Sequence, residues 1–264
     1  MDGKPLRLRE QVHAVIRVNH YSVRTEKTYW YWIRYFIRFH QMKHPKDMGP
    51  REVNEFLTWL AVHRNVAAAT QAQALNALVF LYGKVLDKPL GEIGEVIRSK
   101  KPRKLPVVLT HEEAMRIIGE LRHPDHLIAS LMYGASLRVT EACRLRIKDL
   151  DFNQQIITVR DGKGAKDRTT LLPGTLIAEL KDHVDNICKS WKQKDPEFQH
   201  PVSLPHALSR KYPNAEHSLE WQWLFSSLSL SSDNLGKVTR HHRHITSVQR
   251  SVRNAVKQAG IGKS

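Results

Sequence analysis

Cysteine is scarce in this chain, which has only two among its 264 residues. Cys143 and Cys188 lie far apart with no Cys-x-x-Cys spacing, so the sequence predicts neither a disulfide framework nor a zinc cluster. Long apolar runs are missing too: none approaches the roughly 20 residues that span a bilayer, and the opening stretch MDGKPLRLREQVHAV lacks the apolar region of a secretory signal. We therefore expect a protein of the reducing cytoplasm that does not bind membranes.

Acidic residues are in deficit. Asp and Glu number 26 against 42 Lys and Arg, which leaves a formal net charge of +16 at pH 7 and a pI near 10.0. Such an excess favours a polyanionic partner, above all a nucleic acid. A ribosome-associated RNA-binding protein is the alternative from another functional class.

The first part of the chain, residues 1–94, has helical periodicity and predicts four helices. In the second helix Tyr29, Trp32, Tyr35 or Phe36, and Phe39 recur at three- and four-residue spacing, with basic residues on the other positions. We interpret these aromatic residues as core, with a base-stacking platform as the alternative. Residues 95–106 contain IRSKKPRKLP and predict a basic linker, which is either a solvated tether or part of a clamp around a duplex. Its candidate DNA-binding residues are Lys100, Lys101, Arg103 and Lys104.

The remaining chain, residues 107–264, mixes helices with short extended runs. Thr110 and Glu113 have the spacing of a capping box, which predicts a helix that begins there. Ile156, Ile157 and Val159, a glycine-rich turn and the run RTTLLP predict a β-hairpin. The sequence therefore predicts a mainly α fold with a small β-hairpin or sheet.

The stretch SLRVTEACRLRIKDLDF places Arg138 and Glu141 one helical turn apart, and Lys163 follows in GKGAKDR at the hairpin tip. A guanidinium at a helix start, with free amides nearby, suits phosphate oxygens, and Glu141 could orient it. Glycines at the tip leave room for the Lys163 ammonium to project toward a ligand. We expect Arg138 and Lys163, 25 residues apart, to converge on one phosphodiester. An ordinary surface ion pair between Arg138 and Glu141 is the alternative.

These motifs resemble a known family. The order SLRVTEACRLRIKDLDF, a strand, then GKGAKDRTTLLP resembles the catalytic domain of tyrosine site-specific recombinases, the phage integrase family. KLPVVLTHEEA and the four N-terminal helices are similar to that family's SAM-like core-binding domain, so the resemblance covers almost the whole chain. The segment LPHALSRKYPNA, which is followed by WQWLFSS, resembles the insertion of integron integrases, and we place this insertion at about residues 192–222.

The resemblance implies a chemistry. Arg138 would hold the scissile phosphate with Glu141 in support, Lys163 would protonate the 5′ leaving oxygen, and a tyrosine would form a covalent 3′-phosphotyrosyl bond without metal or other cofactor. The partners implied are duplex attI-like and folded single-stranded attC-like sites of gene cassettes, bound by a homotetramer in the bacterial cytoplasm. Further candidate DNA-binding residues are Lys166, Arg168, Trp221, Trp223, His241 and His242. The two tryptophans have core packing as an equal alternative, and the neighbouring histidines are not spaced as a metal site.

The sequence departs from the family in its last part. None of its fifteen histidines is followed three residues later by arginine, and its seven tyrosines all lie at or before Tyr212. We therefore expect a chain that ends before the family's His-x-x-Arg motif and nucleophilic tyrosine, with an incomplete α+β catalytic domain, and that does not cleave DNA. A non-catalytic DNA-binding fragment or regulator, or a recombinase of the phage or Xer type, is the alternative.

Overall fold

A computed structural model describes residues 6–97, 107–162, 166–204, 208, 211, 212, 214–232 and 236–263. The chain divides into two compact units, Met1–Leu105 and Pro106–Ser264, which we call the N-terminal and C-terminal units. Every helix among the described residues is too short or too polar to span a bilayer.

The N-terminal unit is built from helices. They are α1 (Leu8–Val18), α2 (Val23–Phe39), α3 (Pro50–Val62) and α4 (Ala68–Phe80), the last continuing into a π-helical turn, Leu81–Val85. Ser22 caps α2 by accepting a 3.0 Å hydrogen bond from the backbone amide of Thr25, which satisfies one of the free amides at the helix start.

Aromatic side chains fill the core of this unit. Trp32 and Phe36 are buried, and Phe36 packs edge-on against Phe56 and Tyr82 at ring distances of 5.6 and 6.4 Å. This agrees with the interpretation of the α2 aromatic residues as core. On α4 the apolar run extends onto the outer surface, where Val79 is 49% exposed, because Ala74, Ala77 and Leu78 already complete the inward face.

The C-terminal unit combines helices with two small antiparallel sheets. Its helices are α5 (His111–Gly119), α6 (Asp125–Gly134), α7 (Val139–Cys143), α8 (Ile177–Lys192) and α9 (Ile245–Gln258). One sheet has the order β1 (Leu150–Asp151), β2 (Ile156–Val159) and β3 (Arg168–Leu171), and the other pairs β4 (Ser226–Ser232) with β5 (Val238–His242). The mainly helical fold with small sheets is thus confirmed.

Local sequence signals explain where several of these elements begin and end. Thr110 accepts from the amide of Glu113 at 3.2 Å while the Glu113 carboxylate accepts from the amide of Thr110 at 2.8 Å, which closes the capping box at the start of α5. In the hairpin, Val159 of β2 pairs with Arg168 of β3, so residues 160–167 form the loop between them.

A single apolar core joins α7 to this hairpin. Leu137 just before α7 and Ala142 within it are buried in the same cluster as Ile157 and Val159 of β2, together with Leu131 of α6. The hydroxyl of Thr170 on β3 also donates to the carbonyl oxygen of Ala135 at 3.2 Å. The core therefore fixes the start of α7 beside the loop end of the hairpin.

Candidate functional site

Arg138 lies immediately before α7, after a bend at Ser136 whose φ is +53°. Its backbone amide donates to Glu141 Oε2 and its Nη1 to Glu141 Oε1, both at 2.8 Å. The guanidinium is otherwise exposed, and within the described residues its Nε and Nη2 have no hydrogen-bond partner. Arg138 is therefore held from one side and open on the other.

Glu141 is buried, with 6% of its surface exposed, and it accepts from a second guanidinium. Arg168 Nη1 and Nη2 donate to its two carboxylate oxygens at 3.1 and 3.0 Å. Burial by itself raises the pKa of Glu141, but the hydrogen bonds from Arg168 and from Arg138 outweigh it and lower the pKa to about 2. We call Arg138, Glu141 and Arg168 the guanidinium–carboxylate cluster.

The mouth of the β2–β3 loop lies against this cluster. The amide of Gly162 donates to the carbonyl oxygen of Lys166 at 3.1 Å, and the amide of Asp161 to Asp167 Oδ1 at 3.0 Å. A Cβ added at Gly162 would stand 2.8 Å from the Lys166 carbonyl oxygen and 3.5 Å from Glu141 Oε1, so this close approach requires glycine. Lys163 lies outside the described residues, as do Lys100, Lys101, Arg103 and Lys104, and the structure does not place them. Lys166 is exposed at the edge of the loop.

A second charged centre, which the sequence did not indicate, begins at Arg146. This residue is 6% exposed, its Nη2 donates to the carbonyl oxygen of Ser203 at 2.8 Å, its Nη1 donates to that of Trp221, and its guanidinium lies 3.6 Å from the ring centre of Trp223. Burial lowers its pKa to about 10. Its amide donates to Asp149 Oδ2 at 2.9 Å. The only signal in the sequence is the spacing of Arg146 and Asp149, which repeats that of Arg138 and Glu141.

A cleft of about 990 Å³ opens beside this centre. Asp149 is buried and also accepts from Arg160 Nε at 2.8 Å. The ammonium of Lys148 lies over the Trp221 ring, and burial together with the positive charge of Arg160 lowers its pKa to about 8. The wall combines basic and aromatic side chains: Arg144, Arg146, Lys148, Arg160, Lys211, Tyr212, Trp221 and Trp223.

The predicted base-stacking residues behave differently from each other. Trp223 is 5% exposed, and its Nε1 donates to the carbonyl oxygen of Arg240 at 3.1 Å, so it is a core residue and its ring faces are not open to a base. Trp221 is half-buried. His242 packs edge-on against Trp223, and His241 lies 3.2 Å from Ser203 Oγ; burial lowers the pKa of both imidazoles.

No group of three or more histidine, cysteine or carboxylate side chains in the described residues is arranged to hold a metal ion.

Arg243, which follows the two histidines, pairs with the buried Asp125 through Nε and Nη2 at 2.5 and 2.8 Å. Ser251 of α9 donates to the same carboxylate at 2.6 Å. This pair fixes the end of β5 to the start of α6.

Comparison with known proteins places these features in a family. Residues 8–92 match the phage integrase N-terminal SAM-like domain, and residues 107–263 match the phage integrase family. An integrase/recombinase of Escherichia coli is 44% identical over 261 residues, which cover 98% of this chain and 77% of the relative. Tyrosine recombinase XerA of Thermococcus kodakarensis is 31% identical over 190 residues, 70% of this chain and 64% of the relative.

Solved structures agree on the fold. XerH site-specific recombinase bound to its difH substrate, in a pre-cleavage complex, aligns with a TM-score of 0.56 at 16% identity, covering 99% of this chain and 71% of that one. At this identity the likeness shows the fold alone. The assignment rests on the family matches over both units and on the sequence identity to the relatives. The chain belongs to the phage integrase family of site-specific tyrosine recombinases.

Proposed function

We propose that this chain is an integron-type member of its family and binds recombination sites through the exposed side of Arg138. The observation that carries this proposal is the guanidinium–carboxylate cluster, in which Glu141 holds Arg138 by a backbone and a side-chain hydrogen bond of 2.8 Å. A guanidinium fixed on one edge keeps the other edge as a rigid pair of donors for phosphate oxygens.

The proposed chemistry assigns Arg138 to the non-bridging oxygens of the scissile phosphate and Lys163 to protonation of the 5′ oxygen that leaves. Arg138 would stabilise the negative charge that grows in the pentavalent transition state. The position of Gly162 and Lys166 at the cluster supports the assignment of Lys163, because these residues flank it on both sides. The sites acted on would be attI-like duplexes and attC-like folded single strands, with a homotetramer as the complete assembly in the bacterial cytoplasm.

The first test is DNA binding by the 264-residue chain, measured by fluorescence anisotropy on a folded recombination hairpin and on a random duplex. Releasing counterions from phosphates makes affinity fall steeply with salt, so we expect a loss of at least about tenfold between roughly 50 and 200 mM salt. Arg138→Ala should weaken hairpin binding by about tenfold and lower the slope of log affinity against log salt by about one.

The matched control is Arg51→Ala, which removes an exposed arginine whose partner is Glu55 on the same helix face. It should leave the affinity within about twofold of the parent. An affinity that does not depend on salt, or an Arg138→Ala chain that binds as the parent does, would contradict the proposal. A preference for duplex RNA over hairpin DNA would support the RNA-binding alternative.

We also propose that the 264-residue chain binds without covalent attachment. Its 264 residues contain no His-x-x-Arg, and apart from Tyr133 and Tyr212 its tyrosines belong to the N-terminal unit. The hydroxyl of Tyr133 lies 2.9 Å from His111 Nδ1. With a suicide DNA substrate we expect a complex that detergent dissociates. A detergent-resistant, protease-sensitive adduct would show that a nucleophile is present after all.

A further inference from the structure

The pairing of Arg138 with Glu141 has an electrostatic cost for a site that is to bind phosphate. One guanidinium and one carboxylate at 2.8 Å sum to no net charge. The carboxylate stays ionised over the whole physiological range, because its pKa is about 2. By itself, the residue that holds Arg138 would therefore cancel the charge that attracts the ligand.

Arg168 changes this sum. Its two hydrogen bonds of 3.1 and 3.0 Å to the same carboxylate bring the cluster to two positive charges and one negative, a net charge of +1. Both oxygens of Glu141 are then occupied from two sides, by Arg138 and by Arg168. The carboxylate cannot rotate without breaking bonds to both.

Arg168 also joins two separate parts of the fold. It is the first residue of β3 and pairs with Val159 at the end of β2, directly at the loop that contains Lys163. Its side chain reaches across to α7, 27 positions earlier in the chain. A single bidentate contact thus connects the element that carries Arg138 to the loop that carries Lys163.

Resting on the proposed function, we infer that Arg168 is a positioning residue: through Glu141 it holds Arg138 in its phosphate-binding orientation and ties the first residue of β3 to α7. It acts without touching the DNA itself. This requires the planar fork of arginine, since a lysine ammonium keeps the charge but cannot occupy both carboxylate oxygens in one fixed geometry.

The test is a double-mutant cycle that keeps the charge at position 168 constant. Arg168→Lys and Glu141→Gln are made singly and together in the 264-residue chain, and affinity for the recombination hairpin is measured at one low salt concentration. We expect Arg168→Lys to weaken binding by about tenfold in the parent background and by less than about twofold in the Glu141→Gln background, because its effect passes through the carboxylate. Arg51→Lys, a charge-conserving change at an exposed Arg–Glu pair, is the matched control and should change nothing.

Equal losses in both backgrounds would overturn the inference, because they would mean that Arg168 contacts DNA directly. No loss in either background would overturn it as well. Thermal unfolding of each variant separates weak binding from misfolding.

A second measurement needs no DNA. Carbon-13 NMR of the Glu141 carboxyl, titrated from neutral pH down to about pH 4, should show no protonation in the parent and a raised pKa in Arg168→Lys, which loses the fork. An identical titration in the two proteins would overturn the inference even if the chain binds DNA as proposed. Conversely, a chain that shows the shift but no salt-dependent DNA binding would refute the proposed function while the contact between Arg168 and Glu141 stands.

Discussion

The two units stabilise themselves in different ways. In the N-terminal unit, no charged side chain among residues 6–97 is buried, and rings such as Phe36, Phe56 and Tyr82 fill the core. The C-terminal unit places ionised groups inside. Among its described residues, the buried charged ones are Asp125, Glu141, Arg146, Asp149 and Arg240.

The difference reflects what each arrangement can do. Aromatic rings pack closely against one another, and removing them from water has little free-energy cost. They therefore make a rigid scaffold but offer no charge to a ligand. A buried carboxylate is costly unless every oxygen is occupied, and once occupied it holds its donors in a fixed direction. Glu141 illustrates this, because its hydrogen bonds aim Arg138 outward while keeping the carboxylate away from solvent.

The largest effect is expected from removing a ring. Phe56 is fully buried and contacts Phe36, Phe39 and Tyr35 at ring distances between 5.4 and 5.7 Å. Phe56→Ala should lower the free energy of unfolding of the N-terminal unit by about 4 kcal/mol, from lost burial and the cavity left behind. Urea denaturation of the full chain followed by tryptophan fluorescence measures this. A loss below about 1 kcal/mol would mean that the aromatic core is not what stabilises this unit.

The next effect tests the buried charges of the C-terminal unit. Asp125→Asn removes the negative charge that Arg243 faces at 2.5 and 2.8 Å and leaves a mostly buried guanidinium unpaired. We expect the free energy of unfolding to fall by about 3 kcal/mol. The comparison is Glu55→Gln in the N-terminal unit, where the pair with Arg51 is exposed and should contribute less than about 0.5 kcal/mol. Equal losses in the same denaturation experiment would remove the distinction between the units.

The smallest effect is a pH dependence. The pKa of Glu141 is about 2 in the folded chain against an ordinary value of 4.5, so the folded state favours its ionised form. Its stabilisation is therefore complete above about pH 5 and is lost as pH falls toward 2, amounting to about 2 kcal/mol between pH 6 and pH 3. Urea unfolding measures the free energy of unfolding at these two pH values. The drop in this free energy from pH 6 to pH 3 should be smaller in Glu141→Gln than in the parent by that amount. An unchanged pH dependence would mean that Glu141 is not held as an anion.

Much of the fold follows from local patterns. The capping box at Thr110 begins α5 as its spacing predicts, and the β-branched run at Ile156 forms β2. The pairing of Arg138 with Glu141 was also predictable, because residues three apart at a helix start face each other. These features depend on neighbours within a few positions of the chain.

The rest of the site joins positions that are far apart in sequence. Arg168 was a candidate for DNA contact, and its sequence position gives no hint of the contact with Glu141, 27 residues away. Arg146, like the exposed Arg144, stands between two apolar residues in the sequence, but it is buried against Trp223 by a segment some 75 residues later. The sequence also left open whether Trp223 packs in the core or stacks on a base, because its sequence pattern fits both.

The sequence by itself determined the positive charge of the chain, its helices, its hairpin and the close pair at Arg138, because each of these depends on composition or on neighbours along the backbone. Only the tertiary structure decided which arginines are buried, which two arginines share the Glu141 carboxylate and which tryptophan is buried, because burial and electrostatic pairing depend on segments that meet only after folding. A charge in a low-dielectric interior is costly unless it is paired, so the charged groups that these segments bring together are held in a fixed geometry.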